Sequence, residues 1–303
     1  KDADAIERQL EQIQLEHPGI TVRDVPGMGR GLFATRQYHK GEVILVEEPF
    51  VAAFAHGDRC QHCFQELVRG STAAVTCERC TTDRYCSEIA WGRYHEVLCP
   101  NAEELENLRA SIAETGQTTT STCSLVIARL IAMTLKDPSY HTLLLPEMQL
   151  LSPPPSTGGS KASAGTTFWS RQRLVDALGL QDDPRFDMEW FEAVSSVVMN
   201  NSFIIARKGF SIAGNGAKCG SGVYPTASLF NHSCAPNAEW AAGLCTLDGA
   251  AFNSLVVKAT KRIKKGEQIF IAYIPTDATR DVRQMRLSGF GFECRCICCE
   301  MER

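Results

Sequence analysis

The chain has 303 residues, 44% of them hydrophobic and 22% charged, with a formal net charge of −4. That length allows two or three compact units with a sizeable core, and that composition excludes disorder along the whole chain. The acidic balance excludes a chain-wide basic footprint for nucleic acid, and the most apolar stretch, SLVIARLIAMTL, is interrupted by Arg129 and too short for a bilayer.

Residues 3–16 carry apolar residues near helical spacing and predict a short solvated helix. The chain opens on Lys1, so its natural start is expected upstream. Strand-like runs punctuated by glycines follow, with HKGE (His39 to Glu42) turning into the strand VILVEE. Residues 58–100 are rich in cysteine. Residues 102–150 hold two helical patterns, AEELENLRASIAE and TCSLVIARLIAMTLK, before SPPPSTGGSKASAGTT, whose Pro, Gly and Ser residues predict a mobile loop over 152–167. Helical periodicity resumes in FWSRQRLVDALGL and DMEWFEAVSSVVMNN. From Ser202 onward short strands and glycine-rich turns return, among them KKGE before QIFIAYI, and a second cysteine cluster ends the chain. The basic run KATKRIKKGE reads as a solvated turn.

The chain has fourteen cysteines and no secretory signal. That combination points to a reducing compartment, nuclear or cytoplasmic, where clustered cysteines act as metal ligands rather than disulfides. Cys60 and Cys63, then Cys77 and Cys80, form C-x-x-C pairs, followed by Cys86 and by His95-x-x-x-Cys99. Zinc takes four ligands in a tetrahedron, and C-x-x-C pairs grip it as knuckles. The terminal GFGFECRCICCEMER offers Cys294, Cys296 and Cys299. Cys298 is adjacent to Cys299 and badly placed as the fourth ligand, so a distant residue is required. Cys234, at the end of the polar row Asn231-His232-Ser233-Cys234, is the natural candidate. Cys123, Cys219, Cys245 and Cys298 are left over and read as small buried hydrophobes.

The first cluster resembles a MYND zinc finger. The resemblance implies one zinc on Cys77, Cys80, His95 and Cys99 and another on Cys60, Cys63 and Cys86. The family's further cysteine, four residues after Cys86, is here Ala90. Glu88, His56, His62 or water could complete that site, or it could stay empty. The second cluster, with NHSC, GRGLFA from Gly29 and GEQIFIAY ending at Tyr273, resembles the SET domain of protein lysine methyltransferases. A SET domain split by a MYND finger resembles the SMYD arrangement, and the order of motifs here is the same over nearly all of residues 20–300. Many members of that family continue into a C-terminal helical domain, whereas this chain stops soon after Cys299, so the natural protein is longer or belongs to a shorter branch.

The resemblance implies an α+β fold: a β-rich SET domain split by a MYND zinc finger and a helical insert, closed by a zinc-binding post-SET segment. The implied divisions are an N-terminal helix (1–19), SET N-terminal part (20–57), finger (58–100), insert (101–200), SET C-terminal part (201–275) and post-SET segment (276–303). It further implies transfer of a methyl group from S-adenosyl-L-methionine to a lysine of a histone or another protein, with two to three zinc ions. Tyr273 is the expected catalytic residue and also touches cofactor. Gly29, Arg30, Asn201, Asn231, His232 and Phe292 are expected at the cofactor, Phe292 packing on the adenine, and Tyr224 in the lysine channel. The plain readings are a solvated turn for Arg30, a helix terminus for Asn201, core packing for Phe292 and a strand aromatic for Tyr273. A noncatalytic interaction protein, taking proline-containing peptides at the finger, is the rival function. A membrane partner is not expected, and the acidic balance disfavours nucleic acid.

Overall fold

The computed structural model describes residues 2–54, 60, 62, 64, 75–76, 84–85, 92, 94–101, 103, 107, 118–138, 164–206, 220–243 and 253–303. Helix α1 (Asp2–Glu16) has Ile6, Leu10 and Ile13 on one face, and that face packs on the core while the rest meets solvent. It leads into an antiparallel hairpin of β1 (Ile20–Val25) and β2 (Gly29–Ala34), registered from Ile20 opposite Ala34 to Val25 opposite Gly29.

The main sheet has six strands in the order β3 (Val43–Glu47), β11 (Leu255–Ala259), β10 (Ala238–Gly243), β7 (Ser202–Ala206), β8 (Gly220–Val223) and β4 (Val51–Phe54). Only β10 and β7 run parallel within it. Between these strands in chain order lie β5 (Val75–Thr76), β6 (Arg84–Tyr85) and the short helix α2 (His95–Leu98). Both predicted K-G-E turns close by one device: Glu42 Oε2 accepts from His39 N at 2.8 Å, and Glu267 Oε2 accepts from Lys264 N at 2.6 Å. A bridge between Tyr38 and Ile263 then holds the two turns side by side.

Helix α3 (Thr118–Lys136) is apolar around most of its girth and lies buried against β4 and β8. Its one buried cation, Arg129, donates to the carbonyl of Ala52 and stacks 5.0 Å from the Tyr94 ring. Helix α4 (Ala164–Leu178) follows. The mobile loop expected over 152–167 is corrected at its end, since residues 164–167 are helical; a helix formed by the apolar residues after them extends backward at little cost per residue. The rest of that loop and most of the 102–114 pattern lie outside the described residues. Helix α5 (Met188–Asn201) is capped by Asp187, whose side chain accepts from Trp190 N at 2.8 Å.

Two features position the site. Helix α5 passes into β7 with no intervening loop, so Asn201 stands at a fixed corner. A small parallel pair joins β9 (Asn231–His232) to β12 (Phe270–Ile271), with Asn231 opposite Phe270 and His232 opposite Ile271. Helices α6 (Arg280–Ser288) and α7 (Ile297–Met301) close the chain around a second, smaller core that contains Cys234, Ile274, Leu287, Cys294 and Cys299. Among the described residues, no helix is long and apolar enough to cross a membrane.

Candidate active site and metal centre

Gly31 explains why glycines recur at the start of β2. A side-chain carbon there would lie 2.5 Å from Gln268 Nε2 and 2.7 Å from Asn231 Nδ2, so β2 reaches Asn231 only without one. Asn231 Nδ2 uses that approach to donate to the carbonyl of Arg30 at 3.0 Å. Gly29 begins the strand with a left-handed φ of 72°. Gly29, Arg30 and Asn231 are therefore brought together at one half-buried edge.

His232 is buried, and both of its ring nitrogens are engaged. Nδ1 accepts from the Tyr273 backbone N–H at 3.0 Å, which in a neutral ring leaves the proton on Nε2, 3.3 Å from Cys234 Sγ. Burial, then the nearby Arg283 guanidinium, hold the imidazole neutral by pushing it down to about 4. The His232 side chain has no free polar atom to offer a ligand, because a thiol and a backbone amide use them both.

Tyr273 stands beside His232, with ring centroids 5.4 Å apart, and its hydroxyl donates to the carbonyl of Phe230 at 2.6 Å. Burial raises its phenol well above the usual range, so it stays protonated. It forms part of the wall of an open cleft, with Asn201, Phe203, Phe230, Trp240 and Phe290 among the other lining residues. Asn201 is both a cleft residue and the last residue of its helix, its amide donating to Val197 O at 2.9 Å. Among the described residues no carboxylate lines this cleft.

Two further expected residues do not line this cleft. Tyr224 is fully buried, donates its hydroxyl to Asn253 O at 2.5 Å and stacks edge-on with Phe203. It supports the cleft wall from behind and is not among the residues that line it. Phe292 is half-buried, 6.1 Å from the His232 ring and 6.3 Å from the Tyr273 ring, between the cleft and the cysteines. Sequence reasoning missed Phe290, which lines the cleft 5.3 Å from Tyr273. No periodic pattern marks it, because residues 289–291 form the turn that ends α6 rather than a strand.

The terminal cysteines converge as expected. Sγ atoms of Cys234, Cys294, Cys296 and Cys299 all lie within 4.8 Å of one another, with Cys234 at 3.9 Å from Cys294 and 3.6 Å from Cys299. Four zinc–sulfur bonds of about 2.3 Å at the tetrahedral angle require sulfur–sulfur edges of about 3.8 Å, so the donor set fits zinc. Burial alone would raise the Cys296 thiol, but backbone N–H groups and neighbouring thiols outweigh it and bring it to about 6. Cys123, by contrast, is pushed up to about 11 by burial and stays a packing thiol. Cys298 is half-buried outside the cluster and donates to Glu302 at 3.2 Å, so it is not the buried hydrophobe expected.

In the first cluster, Cys60 and His95 are buried and Cys99 is half-buried. The His62 backbone N–H points to Cys60 Sγ at 3.4 Å. Cys63, Cys77, Cys80 and Cys86 lie outside the described residues, as do Glu88 and His56.

Comparison with known proteins adds relatives to this geometry. The family described as SET domain matches residues 29–274. The histone-lysine N-methyltransferase ASHR2 of Arabidopsis thaliana is 24% identical over 299 residues, covering 93% of this chain and 72% of that protein. The human histone-lysine N-methyltransferase SMYD3 is 26% identical, with 90% of this chain and 60% of the relative covered. The N-lysine methyltransferase SMYD2 of Gallus gallus is 27% identical, with 91% and 59% covered. The chain thus spans about three-fifths of the length of these last two. A solved structure described as the SET domain of LSMT bound to lysine and AdoHcy covers 96% of this chain and 58% of its own at 15% identity, with a TM-score of 0.44, too slight a likeness to argue from.

Proposed function

This chain belongs to the SET domain family, and from that premise we propose that it is an S-adenosyl-L-methionine-dependent protein-lysine N-methyltransferase of the SET and MYND kind, acting on a histone or non-histone lysine. The observation that carries the reading is the neutral phenol of Tyr273 at the wall of an aromatic cleft, tied through His232 to the thiol cluster.

The cofactor, when bound, supplies a methyl group already made electrophilic by its sulfonium. The chain's part is to bind, align and exclude water. Gly29, Arg30 and Asn231 form the edge on which an amino-acid-like ligand would rest, with Asn201 at the cleft corner and Phe292 as a stacking face. Because the Tyr273 hydroxyl already donates to Phe230, its oxygen lone pairs remain available to accept from an amine. A lysine with an ordinary pKa of about 10.4 must lose its proton to attack, and a cleft with no carboxylate favours that loss. Alignment of amine and methyl supplies the remaining advantage.

Zinc at Cys234, Cys294, Cys296 and Cys299 would cross-link the tail to the NHSC turn. Further zinc in a MYND finger would use Cys60, Cys63, Cys77, Cys80, Cys86, His95 and Cys99. Such thiolate sites suit a reducing compartment, nuclear or cytoplasmic, and the finger offers a place for proline-containing peptides.

The test is calorimetric titration with S-adenosylmethionine followed by methyl transfer to a histone and peptide panel, with wild type beside Tyr273→Phe. Both should bind the cofactor, and the variant should lose transfer by roughly 10²-fold or more. Wild-type transfer by the phenylalanine variant would remove Tyr273 from the chemistry. Saturable cofactor binding with no transfer by wild type to any substrate would favour the interaction protein instead.

A further inference from the structure

We propose that Arg283 is the charge-balancing and positioning residue of the four-thiolate centre: its buried guanidinium offsets the negative charge of metal-bound sulfur and retards loss of the metal. This rests on reading Cys234, Cys294, Cys296 and Cys299 as a zinc site.

Four thiolates on one divalent ion leave roughly two units of negative charge. Here that charge is sunk in protein, with Cys294 4% and Cys299 1% exposed. Buried charge needs a nearby opposite charge or several hydrogen bonds. The Arg283 side chain is itself 3% exposed. Its Nη2 lies 3.7 Å from Cys299 Sγ, 3.6 Å from Cys298 Sγ and 2.9 Å from Glu302 Oε2, and its Nη1 donates to Ala278 O at 2.6 Å. Nε is buried with no acceptor among the described residues.

Glu302 is the obvious rival partner, but its side chain is 43% exposed, and a solvated carboxylate compensates a buried cation poorly. The buried counter-charge must be the sulfur. The remaining polar groups of α6 support this, because Arg280, Arg283 and Gln284 fall on one helical face with the fully buried Leu287. Arg280 Nε donates to Cys299 O at 3.2 Å and pairs with Glu293 at 3.4 Å, while Gln284 brackets Cys294 by donating to its carbonyl at 2.8 Å and accepting from its amide at 2.9 Å. His232 donates to Cys234 from another element. Among these partners only Arg283 brings full charge onto sulfur.

The experiment measures zinc per chain by plasma mass spectrometry and the rate of zinc transfer to a chromophoric chelator. It compares wild type, Arg283→Met, Arg283→Lys, Glu302→Ala and the double variant Cys294→Ser, Cys296→Ser, with circular dichroism reporting the fold. Wild type should hold one more zinc than the double variant, which tests the site itself. Arg283→Met should release that ion about 10–100-fold faster, the usual cost of losing an outer partner of a metal ligand. Arg283→Lys should stay near wild type, and so should Glu302→Ala. A folded methionine variant with wild-type release would overturn the proposal. If methionine does not fold, the lysine and alanine variants decide it: faster release in Glu302→Ala than in Arg283→Lys would assign the effect to the surface pair instead. Equal zinc in wild type and the double variant would overturn the centre and the clamp together.

Discussion

At the scale of single residues, the site depends on atoms with one possible partner. Gly31 has no room for a side chain, because Asn231 and Gln268 fill the space beside it. Gly31→Ala should therefore push Asn231 off the Arg30 carbonyl, lowering stability by about 1–3 kcal/mol and weakening cofactor binding. Thermal unfolding and titration with S-adenosylmethionine check both parts; unchanged values would mean the strand slides without cost. His232 carries a related lesson. Its place in NHSC was legible, and so was its nearness to a ligand thiol, but nothing in the row said that both nitrogens would be used internally. Arg283 was not legible at all, since one arginine among several in a polar helix looks like any solvated residue until its burial is known.

At the scale of elements, Glu47 shows how the main sheet sets the approach to the NHSC turn. From the end of β3 its two carboxylate oxygens each accept at 2.8 Å from the backbone N–H groups of Thr226 and Ala227, where a short 3-10 turn (Ala227–Leu229) begins. Burial nevertheless outweighs those two bonds and pushes the carboxyl up to about 7. The unfolded chain ionises this group near pH 4.3, so between there and 7 the folded state binds more protons than the unfolded one. The contribution of Glu47 to stability should thus fall as pH rises through that window and level off above it. Urea midpoints across the window should show a smaller downward slope for Glu47→Gln than for wild type, and parallel slopes would refute the assignment. Element type was largely readable here, since strand runs and K-G-E turns announced themselves. The predicted strand QIFIAYI shrank to β12, because among the described residues its strand pairing is limited to the two residues of β9 and a bridge from Gln268 to Phe33.

At the scale of the molecule, the tail clamps the cleft wall, as Cys234 touches Cys294 and Cys299 on one side and, through His232, the Tyr273 backbone on the other. Stripping zinc from the whole chain with a strong chelator under reducing conditions should lower the unfolding midpoint and abolish cofactor binding, both restored by added zinc. An unchanged midpoint would show that packing alone holds the tail. The sequence by itself determined the order of motifs and which four cysteines meet at the tail, because residue type and spacing are covalent facts and thiols in such numbers have few other uses. Only the tertiary structure decided that Phe290 rather than Tyr224 lines the cleft, that the His232 ring faces inward and that Arg283 is buried on sulfur. Those outcomes depend on which side chains lose their water when distant segments meet, and local pattern carries no record of that.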